Sequence, residues 1–326
     1  MIAVIYSDAA CAVEPDLTAR EASQSVRKMV GRALPYLQRA GETWIEKRQC
    51  VSCHQVPFML WSLSSAESNG FDVDSAKLRQ WEKWSTKIES FVKPANKEDL
   101  DPDATMAANI DTMNGLLLGI SRQDEAASSN HRDWRSQFTD ALVDNQTEQG
   151  GWKACGQLPM QKRPQEETRQ VTTTWTLLAL ERQGVTAKET SAAAKFIDNN
   201  APESTEWWVA RLLLAHERQS DDANGLRTKL RNLQHDDGGW GWLSEESSDA
   251  LATGMTLYAL AVTRPDVDSD RDMFAKAKQF LFTTQKQDGS WSVPGTKKTT
   301  RNKPTPTSNY WGTAWAVIGL LALEPS

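Results

Sequence analysis

The sequence predicts an all-α protein built as a ring of six helical hairpins. Three observations indicate this fold. A pattern Gln-x-x-x-Gly-x-Trp repeats along the chain, helical patterns flank each copy, and no segment shows the strict alternation of apolar and polar residues that is typical of a strand. The chain also contains 14 tryptophans in 326 residues, which agrees with a repeated placement of large aromatic side chains.

Three full copies of the pattern span residues 146–152, 234–240 and 285–291, and a looser copy covers 38–44. Their spacing fits one or two units of roughly 45–54 residues each. Glycine permits a tight turn at the end of a helix, the indole packs as a large buried plate, and the Gln amide can bridge to nearby backbone groups. We therefore interpret the pattern as a structural staple at the end of an outer helix.

Six helices that are apolar on nearly all sides are expected to form the inner ring. They are predicted at 55–68, 105–121, 167–183, 205–219, 247–262 and 309–323. The segments that pair with them are amphipathic, as at 188–199 and 271–282, and suit an outer ring. A further outer helix is predicted at 75–92, and the polar segment 293–308 is expected to be a solvated lid or a partner contact.

The chain divides into a leader at 1–21 and a helical domain at 22–326. The leader contains a short apolar run followed by Ala10-Cys11-Ala12, which is typical of a small-residue cleavage site. It is interpreted either as the remnant of a signal peptide or as a disordered leader.

Composition excludes two classes of partner. The formal net charge is −6 and no basic cluster is present, so nucleic acid is not expected to bind. No stretch of 18 or more apolar residues occurs, so no transmembrane segment is expected.

The Gln-Gly-Trp segments resemble the QW repeats of the squalene cyclase and prenyltransferase superfamily. The resemblance implies a single (α/α)6 toroid, and it covers the chain from about residue 22 onward. Cyclases of this superfamily protonate an alkene with an Asp-x-Asp-Asp motif, and Asp101-Pro102-Asp103-Ala104 is similar to it except that Ala104 replaces the last Asp. The resemblance thus implies Asp103 as a general acid, whereas helix capping explains the same acidic residues without any catalytic role.

Cys50-Val51-Ser52-Cys53-His54 matches the Cys-x-x-Cys-His motif of covalent haem c attachment, as in c-type cytochromes. In such a site Cys50 and Cys53 bind the haem and His54 ligates the iron. A zinc site with Cys155 as a further ligand and a redox-active dithiol or disulfide are the alternatives. The sequence does not assign the sixth iron ligand. The candidates are the remaining His and Met residues His131, His216, His235, Met59, Met106, Met113, Met160 and Met255.

Two functions follow from these motifs. The first is a haem c protein that transfers electrons or carries out redox chemistry outside the cytoplasm, in the periplasm or an equivalent compartment, with a redox partner protein or a small apolar ligand in the central cavity. The second is a cyclase-like isomerase or lyase with Asp103 as its acid. Its apolar substrate would contact the inner aromatic residues Trp175, Trp207, Trp208, Tyr258, Trp311 and Trp315. A binding scaffold without turnover is a third interpretation.

Overall fold

Thirteen α-helices, joined by turns and short 3₁₀ segments, make up the part of the chain that the computed structural model describes, which is residues 17–51, 54–121, 134–197, 202–263 and 270–324. The helices are α1 (Leu17–Arg48), α2 (Val56–Ser68), α3 (Ser75–Ser85), α4 (Pro102–Ala107), α5 (Ile110–Gly119), α6 (Trp134–Asp144), α7 (Gln165–Arg182), α8 (Ala187–Phe196), α9 (Thr205–Glu217), α10 (Ala223–Asn232), α11 (Ala250–Val262), α12 (Arg271–Thr284) and α13 (Pro306–Leu321).

Six of these helices form a closed inner ring. Helix α2 contacts α5, and the contacts continue through α7, α9, α11 and α13, which returns to α2. Six of the other helices pack outside this ring: α1 lies against α2 and α13, α3 against α2, α6 against α5 and α7, α8 against α7, α10 against α9, and α12 against α11 and α1. The short α4 contacts α5 and α6. The inner helices are those that the apolar segments predicted.

The inner helices are covered on nearly all sides because their sequences offer no polar face. Every residue of α13 from Tyr310 to Leu321 is buried. Helices α11 and α13 approach closely at Gly254, where an added Cβ would lie 2.3 Å from the backbone carbon of Trp315, so only glycine fits there. None of the helices in the described ranges is both long and apolar enough to cross a membrane.

The three full Gln-x-x-x-Gly-x-Trp segments adopt one geometry. In each, the Gln amide donates to the Gly carbonyl, the indole N–H donates to a carbonyl of the preceding outer helix, and the Trp backbone N–H donates to a Thr hydroxyl of the following inner helix. The glycine φ angles are +92°, +87° and +85°, which glycine adopts readily. The segments therefore tie each outer helix to the next inner one.

The looser segment at 38–44 has a different structure. It lies inside the continuous helix α1, so the chain makes no turn at Gly41, which instead packs against the Met59 side chain. Its indole serves another contact: Trp44 Nε1 donates to the carbonyl of Cys50 at 2.8 Å.

Some predicted boundaries differ from those observed. The predicted inner helix at 105–121 is interrupted at residues 108–109, which separates the short α4 from α5. The predicted outer helix at 75–92 ends at Ser85, and α8 ends at Phe196. Helix α1 already begins at Leu17, within the predicted leader, and residues 1–16 lie outside the described residues.

The staple geometry predicts unequal effects of two substitutions on α11. Thr253 Oγ1 accepts the Trp240 backbone N–H at 3.0 Å, whereas the fully buried Thr256 hydroxyl has no hydrogen-bond partner in the described ranges. Thr253→Val should lower the free energy of unfolding by about 1–3 kcal/mol because the buried N–H loses its acceptor. Thr256→Val is the matched control and should be neutral or stabilising in chemical denaturation. Equal losses of unfolding free energy in the two variants would contradict a stabilising role for the Thr253–Trp240 hydrogen bond.

Candidate functional site

A cavity opens at the end of the ring where the inner helices begin. The empty space within it is about 820 Å³, a volume that includes the open solvent at its mouth. Its walls come from α2 and the segment before it, from α5, α7, α9 and α13, and from two loops. The lining side chains are His54, Phe58, Trp61, Asp111, Asn114, Leu118, Gln157, Leu158, Gln161, Trp175, Glu206, Thr296, Lys297, Thr307, Trp311 and Trp315. A mostly apolar cavity with a few polar groups is typical of a small-molecule site.

Two loops form the upper wall of this cavity. The loop between α6 and α7 supplies Gln161, and the loop between α12 and α13 supplies Lys297; the two residues form a single antiparallel bridge. Lys162 strengthens the connection, since its backbone N–H donates to the Thr296 carbonyl at 2.8 Å. The segment 293–308, expected to be a lid or a partner contact, is thus part of the cavity wall.

An aromatic cluster forms the floor of the cavity. The Trp315 ring centroid lies 5.3 Å from that of Phe58, 5.4 Å from Trp61, 6.0 Å from Trp175 and 5.9 Å from Tyr258. Tyr258 lines a second pocket at the opposite end of the ring, which Trp61 also lines. The cluster therefore lies between the two pockets.

Asp111, near the start of α5, lines the cavity and has a raised pKa. Its Oδ1 accepts the Thr172 hydroxyl at 2.9 Å and its Oδ2 accepts the Cys155 backbone N–H at 2.8 Å. Burial raises the pKa of Asp111 to about 6, with a further contribution from the negative charge of Glu206, against the opposing effect of these hydrogen bonds. A carboxyl group with this pKa can donate and accept a proton near neutral pH.

Glu206, at the start of α9, is the second carboxyl group in the wall. Its Oε2 accepts Arg163 Nη1 at 2.9 Å, its Oε1 accepts Trp175 Nε1 at 3.2 Å, and both Glu206 and Arg163 are buried. Arg163 also donates to the Ser204 hydroxyl at 3.2 Å, so it fastens the loop before α7 to the start of α9. The two carboxyl groups of the cavity thus have different environments, one paired with a cation and one not.

The described part of the haem motif lies beside the cavity. His54 lines it, immediately before α2, whereas Cys53 lies outside the described residues. Burial, together with the positive charge of Lys297, lowers the pKa of His54 to about 4, which leaves the imidazole neutral near pH 7. Cys50 is a free, partly buried thiol, and the Val51 backbone N–H donates to the Ser90 carbonyl at 2.6 Å. A neutral imidazole is the form that ligates iron.

Asp103 does not lie where the cyclase resemblance implies. It is exposed on the six-residue helix α4, outside the lining of the cavity. Asp101 caps that helix, since its Oδ1 accepts the Ala104 N–H at 3.1 Å. Asp111 occupies the cavity instead. No local pattern in the sequence marks Asp111, because the break before Ile110 contains neither Gly nor Pro to indicate a new helix start.

The candidates for a sixth iron ligand differ in position. His131 lies outside the described residues, and His216 is exposed at the C-terminal end of α9, away from the cavity at the start of that helix. The His235 ring contacts the Ser248 hydroxyl and the Ser244 carbonyl. Four of the candidate methionines are buried in the core: Met59, Met106, Met113 and Met255. Met160 is 59% exposed and follows the cavity residue Leu158 by two positions.

Of the aromatic residues expected around the cavity, Trp175, Trp311 and Trp315 line it. Trp207 and Trp208 lie outside its lining. Trp207 is buried and its Nε1 donates to Gln170 Oε1 at 3.1 Å, while the Trp208 ring lies 5.4 Å from Lys229 Nζ. The initial residues of an inner helix do not all face the cavity. The sequence pattern could not distinguish the aromatic residues that face it from those that do not.

Comparison with solved structures confirms the all-α toroid. The chain is similar to an unsaturated glucuronyl hydrolase specific for heparin, with a TM-score of 0.62 and 10% identity over 92% of this chain and 97% of that one. It is similar to an unsaturated glucuronyl hydrolase from Bacillus sp. GL1 with a TM-score of 0.55 and 13% identity over 92% and 97%. A family 88 glycosyl hydrolase from Bacteroides vulgatus gives a TM-score of 0.56 and 8% identity over 92% and 98%.

At these identities the likeness shows the fold alone. No family model matches the sequence, and the search of curated proteins gives no match. The relation to squalene cyclases and prenyltransferases stays a prediction from the sequence.

The pKa of Asp111 predicts a pH dependence of stability. Between its ordinary value of 3.8 and the folded value of about 6, the folded state retains a proton that the unfolded state has lost. This contribution makes stability fall as the pH rises through that window. Two other groups contribute in this window: Asp249, with a similarly raised pKa, adds to the fall, and His54, whose pKa is lowered to about 4, opposes it. In thermal melts at pH 4 to 7, Asp111→Asn should therefore make the Tm at pH 7, relative to the Tm at pH 4, higher than in the unmodified chain. Asp103→Asn should keep the whole fall, and an unchanged slope in Asp111→Asn would contradict the assignment.

Proposed function

We propose that the protein carries a covalently attached haem c at the mouth of the toroid and acts in electron transfer or redox chemistry. The single observation that supports this most is the position of His54: the histidine of the only Cys-x-x-Cys-His sequence in the chain lines the largely aromatic cavity. Cys50 and Cys53 would form the thioether bonds, and His54 would ligate the iron.

The residues at this position fit such a group. A haem needs an apolar surface for its macrocycle, and Phe58 and Trp61 lie one and two turns after His54 on the same cavity wall. It also needs cations near its carboxylates, and Lys297 lies close enough to His54 to affect its titration. The backbone on the other side of the motif is anchored, because Trp44 Nε1 donates to the Cys50 carbonyl. When bound, haem c supplies one-electron redox chemistry.

The surrounding residues decide which redox role follows. A sixth ligand from the protein favours electron transfer, whereas an open iron face favours binding of a small molecule. Met160 is a candidate for the sixth ligand, because it is exposed in the loop that also supplies Leu158 and Gln161 to the cavity. Because haem c attachment requires free thiols and an export-linked maturation system, the proposal includes a location outside the cytoplasm, in the periplasm or an equivalent compartment.

Coexpression of the full chain with a cytochrome c maturation system tests this proposal. A pyridine haemochrome spectrum and a haem stain after denaturing electrophoresis should both report covalent haem c. The Cys50→Ala/Cys53→Ala double variant should lose the stain because it removes both thioether bonds, and each single variant should lower it because only one bond remains. Cys155→Ala is the matched control and should retain it, since the Cys155 thiol donates to the Ala107 carbonyl and its backbone N–H donates to the Asp111 carboxyl group. Absence of covalent haem in the unmodified chain would exclude the proposal.

A second candidate function is acid catalysis in the cavity, with Asp111 in place of Asp103. The observation that favours it is the contrast between the two carboxyl groups: Glu206 is paired with Arg163, whereas burial raises the pKa of Asp111 to about 6. Two carboxyl groups with different environments in one cavity are typical of acid–base sites. An isomerase or lyase of the cyclase type would use Asp111 to protonate an unsaturated substrate, and the structurally similar glucuronyl hydrolases make an unsaturated sugar a further substrate to test.

Turnover assays distinguish this candidate from the first. Mass spectrometry of incubations with squalene, shorter isoprenoids and an unsaturated glucuronyl disaccharide would reveal a product. Asp111→Asn should then reduce the rate by about 10²–10⁴-fold because it removes the proton donor. Asp103→Asn, on the exposed helix α4, should leave the rate unchanged. If no substrate is converted, or if Asp103→Asn has the larger effect, the second candidate is wrong.

A further inference from the structure

The loop between α12 and α13 contains a two-armed flap, residues 294–304, in the upper wall of the cavity. Pro294 and Pro304 form a single antiparallel bridge, and the Gly295 N–H donates to the Lys303 carbonyl at 3.1 Å, so the two arms run side by side. The flap therefore has hydrogen bonds of its own and can move as one unit.

The tip of the flap is held by one residue of the neighbouring loop. Within the described ranges, the hydrogen bonds that join residues 296–302 to the chain outside the flap both come from Lys162. Its backbone N–H donates to the Thr296 carbonyl at 2.8 Å, and its Nζ donates to Asn302 Oδ1 at 2.8 Å. The position of the tip thus depends on Lys162.

All three protons of the Lys162 ammonium group have acceptors. One is donated to Asn302, and the other two are donated to Glu246 Oε1 at 2.7 Å and Oε2 at 2.6 Å. The loop that carries Glu246 is itself fixed, because the Ser244 N–H donates to the Glu203 carbonyl at 3.0 Å. The Lys162 side chain is only 13% exposed, so water screens this ion pair less than an open surface pair. A single side chain therefore joins three loops.

The backbone of the tip is strained beside this contact. Arg301 has φ +46° and ψ +47°, and Asn302 has φ +62°. Asparagine tolerates this left-handed region, whereas a long side chain such as that of Arg301 rarely adopts it. A strained backbone persists only where surrounding contacts hold it, so the closed flap needs a contact such as that of Lys162.

We propose that the flap opens and closes the mouth of the cavity and that Lys162 is the latch that holds it closed. Release of the Lys162–Asn302 contact frees the tip and relieves the strain at Arg301. Thr296 and Lys297, which line the cavity, then leave its wall, and the entrance widens. This motion goes beyond the proposed functions, and it requires neither haem nor turnover.

Hydrogen–deuterium exchange on the full-length protein, resolved to single amides by fragmentation in the mass spectrometer, tests the proposal. Lys162→Met removes the latch and should speed exchange of the Gly295 and Lys303 N–H groups about tenfold, because opening no longer breaks a hydrogen bond to a charged group. The Trp240 N–H, in a staple segment, should keep its rate. An unchanged rate at Gly295, or an equal acceleration at Trp240, would overturn the proposal.

A matched control replaces a similar ion pair away from the flap. Arg218 Nε donates to Glu181 Oε1 at 2.9 Å, and the two side chains are 32% and 16% exposed. Arg218→Met should therefore leave the exchange rate at Gly295 unchanged. An acceleration equal to that of Lys162→Met would overturn the assignment of Lys162 as the latch.

A third variant tests whether the flap leaves the wall as a unit. Asn302→Ala removes the acceptor of the latch and keeps the Lys162 backbone, whose N–H joins the two loops. The Lys162 and Gly295 N–H groups should then exchange faster by the same factor. Faster exchange at Gly295 with an unchanged rate at Lys162 would mean that the arms separate while the flap stays in place, which would overturn the proposal.

Two variants of Arg301 test the contribution of the strain. Arg301→Asn should slow exchange at Gly295 about threefold, because asparagine tolerates the left-handed conformation of the closed flap. Arg301→Gln is the matched control, since it removes the same charge but keeps the strain, and it should exchange like the unmodified chain. Equal rates in the two variants would overturn the release of strain on opening.

Discussion

The structure depends on the closure of the inner ring. Helices such as α11 and α13 are buried on nearly all sides, so neither could be stable with a face open to water. Each must be covered by inner neighbours on two sides and by an outer helix behind, and a closed ring meets that requirement for all six. The Trp-to-Thr hydrogen bonds of the three staple segments join the outer layer to the inner one at fixed points. The cavity is the part of the ring that remains open, at the end where the inner helices begin.

This arrangement also explains how the site is assembled. Side chains at the start of several inner helices converge on the mouth, so residues far apart in the sequence, such as His54, Asp111 and Glu206, line one cavity. The loops before α7 and α13 meet over it through the Gln161–Lys297 bridge. The buried charge of Glu206 is paired with Arg163, whereas burial raises the pKa of Asp111 to about 6.

The sequence predicted the inner helices and the staple segments because both are local patterns. Apolar character on all sides identified five of the six inner helices within a few residues of their ends, and the Gln, Gly and Trp positions of the three full copies predicted their common turn. The cyclase resemblance implied Asp103, whereas no breaker residue marks the interruption at 108–109 that precedes Asp111. The cavity role of Gln161 and Lys297 depends on a contact between two distant loops, which no local pattern reports. The same holds for Trp207, whose indole turns to Gln170 and not inward.

In this chain the likeness that shows the fold and the motif that suggests the function have very different extents in the sequence. The likeness to glucuronyl hydrolases extends over nearly the whole ring at about a tenth sequence identity, whereas the chemistry suggested by the motif depends on five consecutive residues before α2. Iron anomalous scattering from crystals of the matured protein tests that chemistry most directly. The account predicts one iron peak bonded to the His54 imidazole at the mouth of the cavity, with density continuous to Cys50 and Cys53. An iron bound elsewhere, or a disulfide between the two cysteines with no iron, would contradict it.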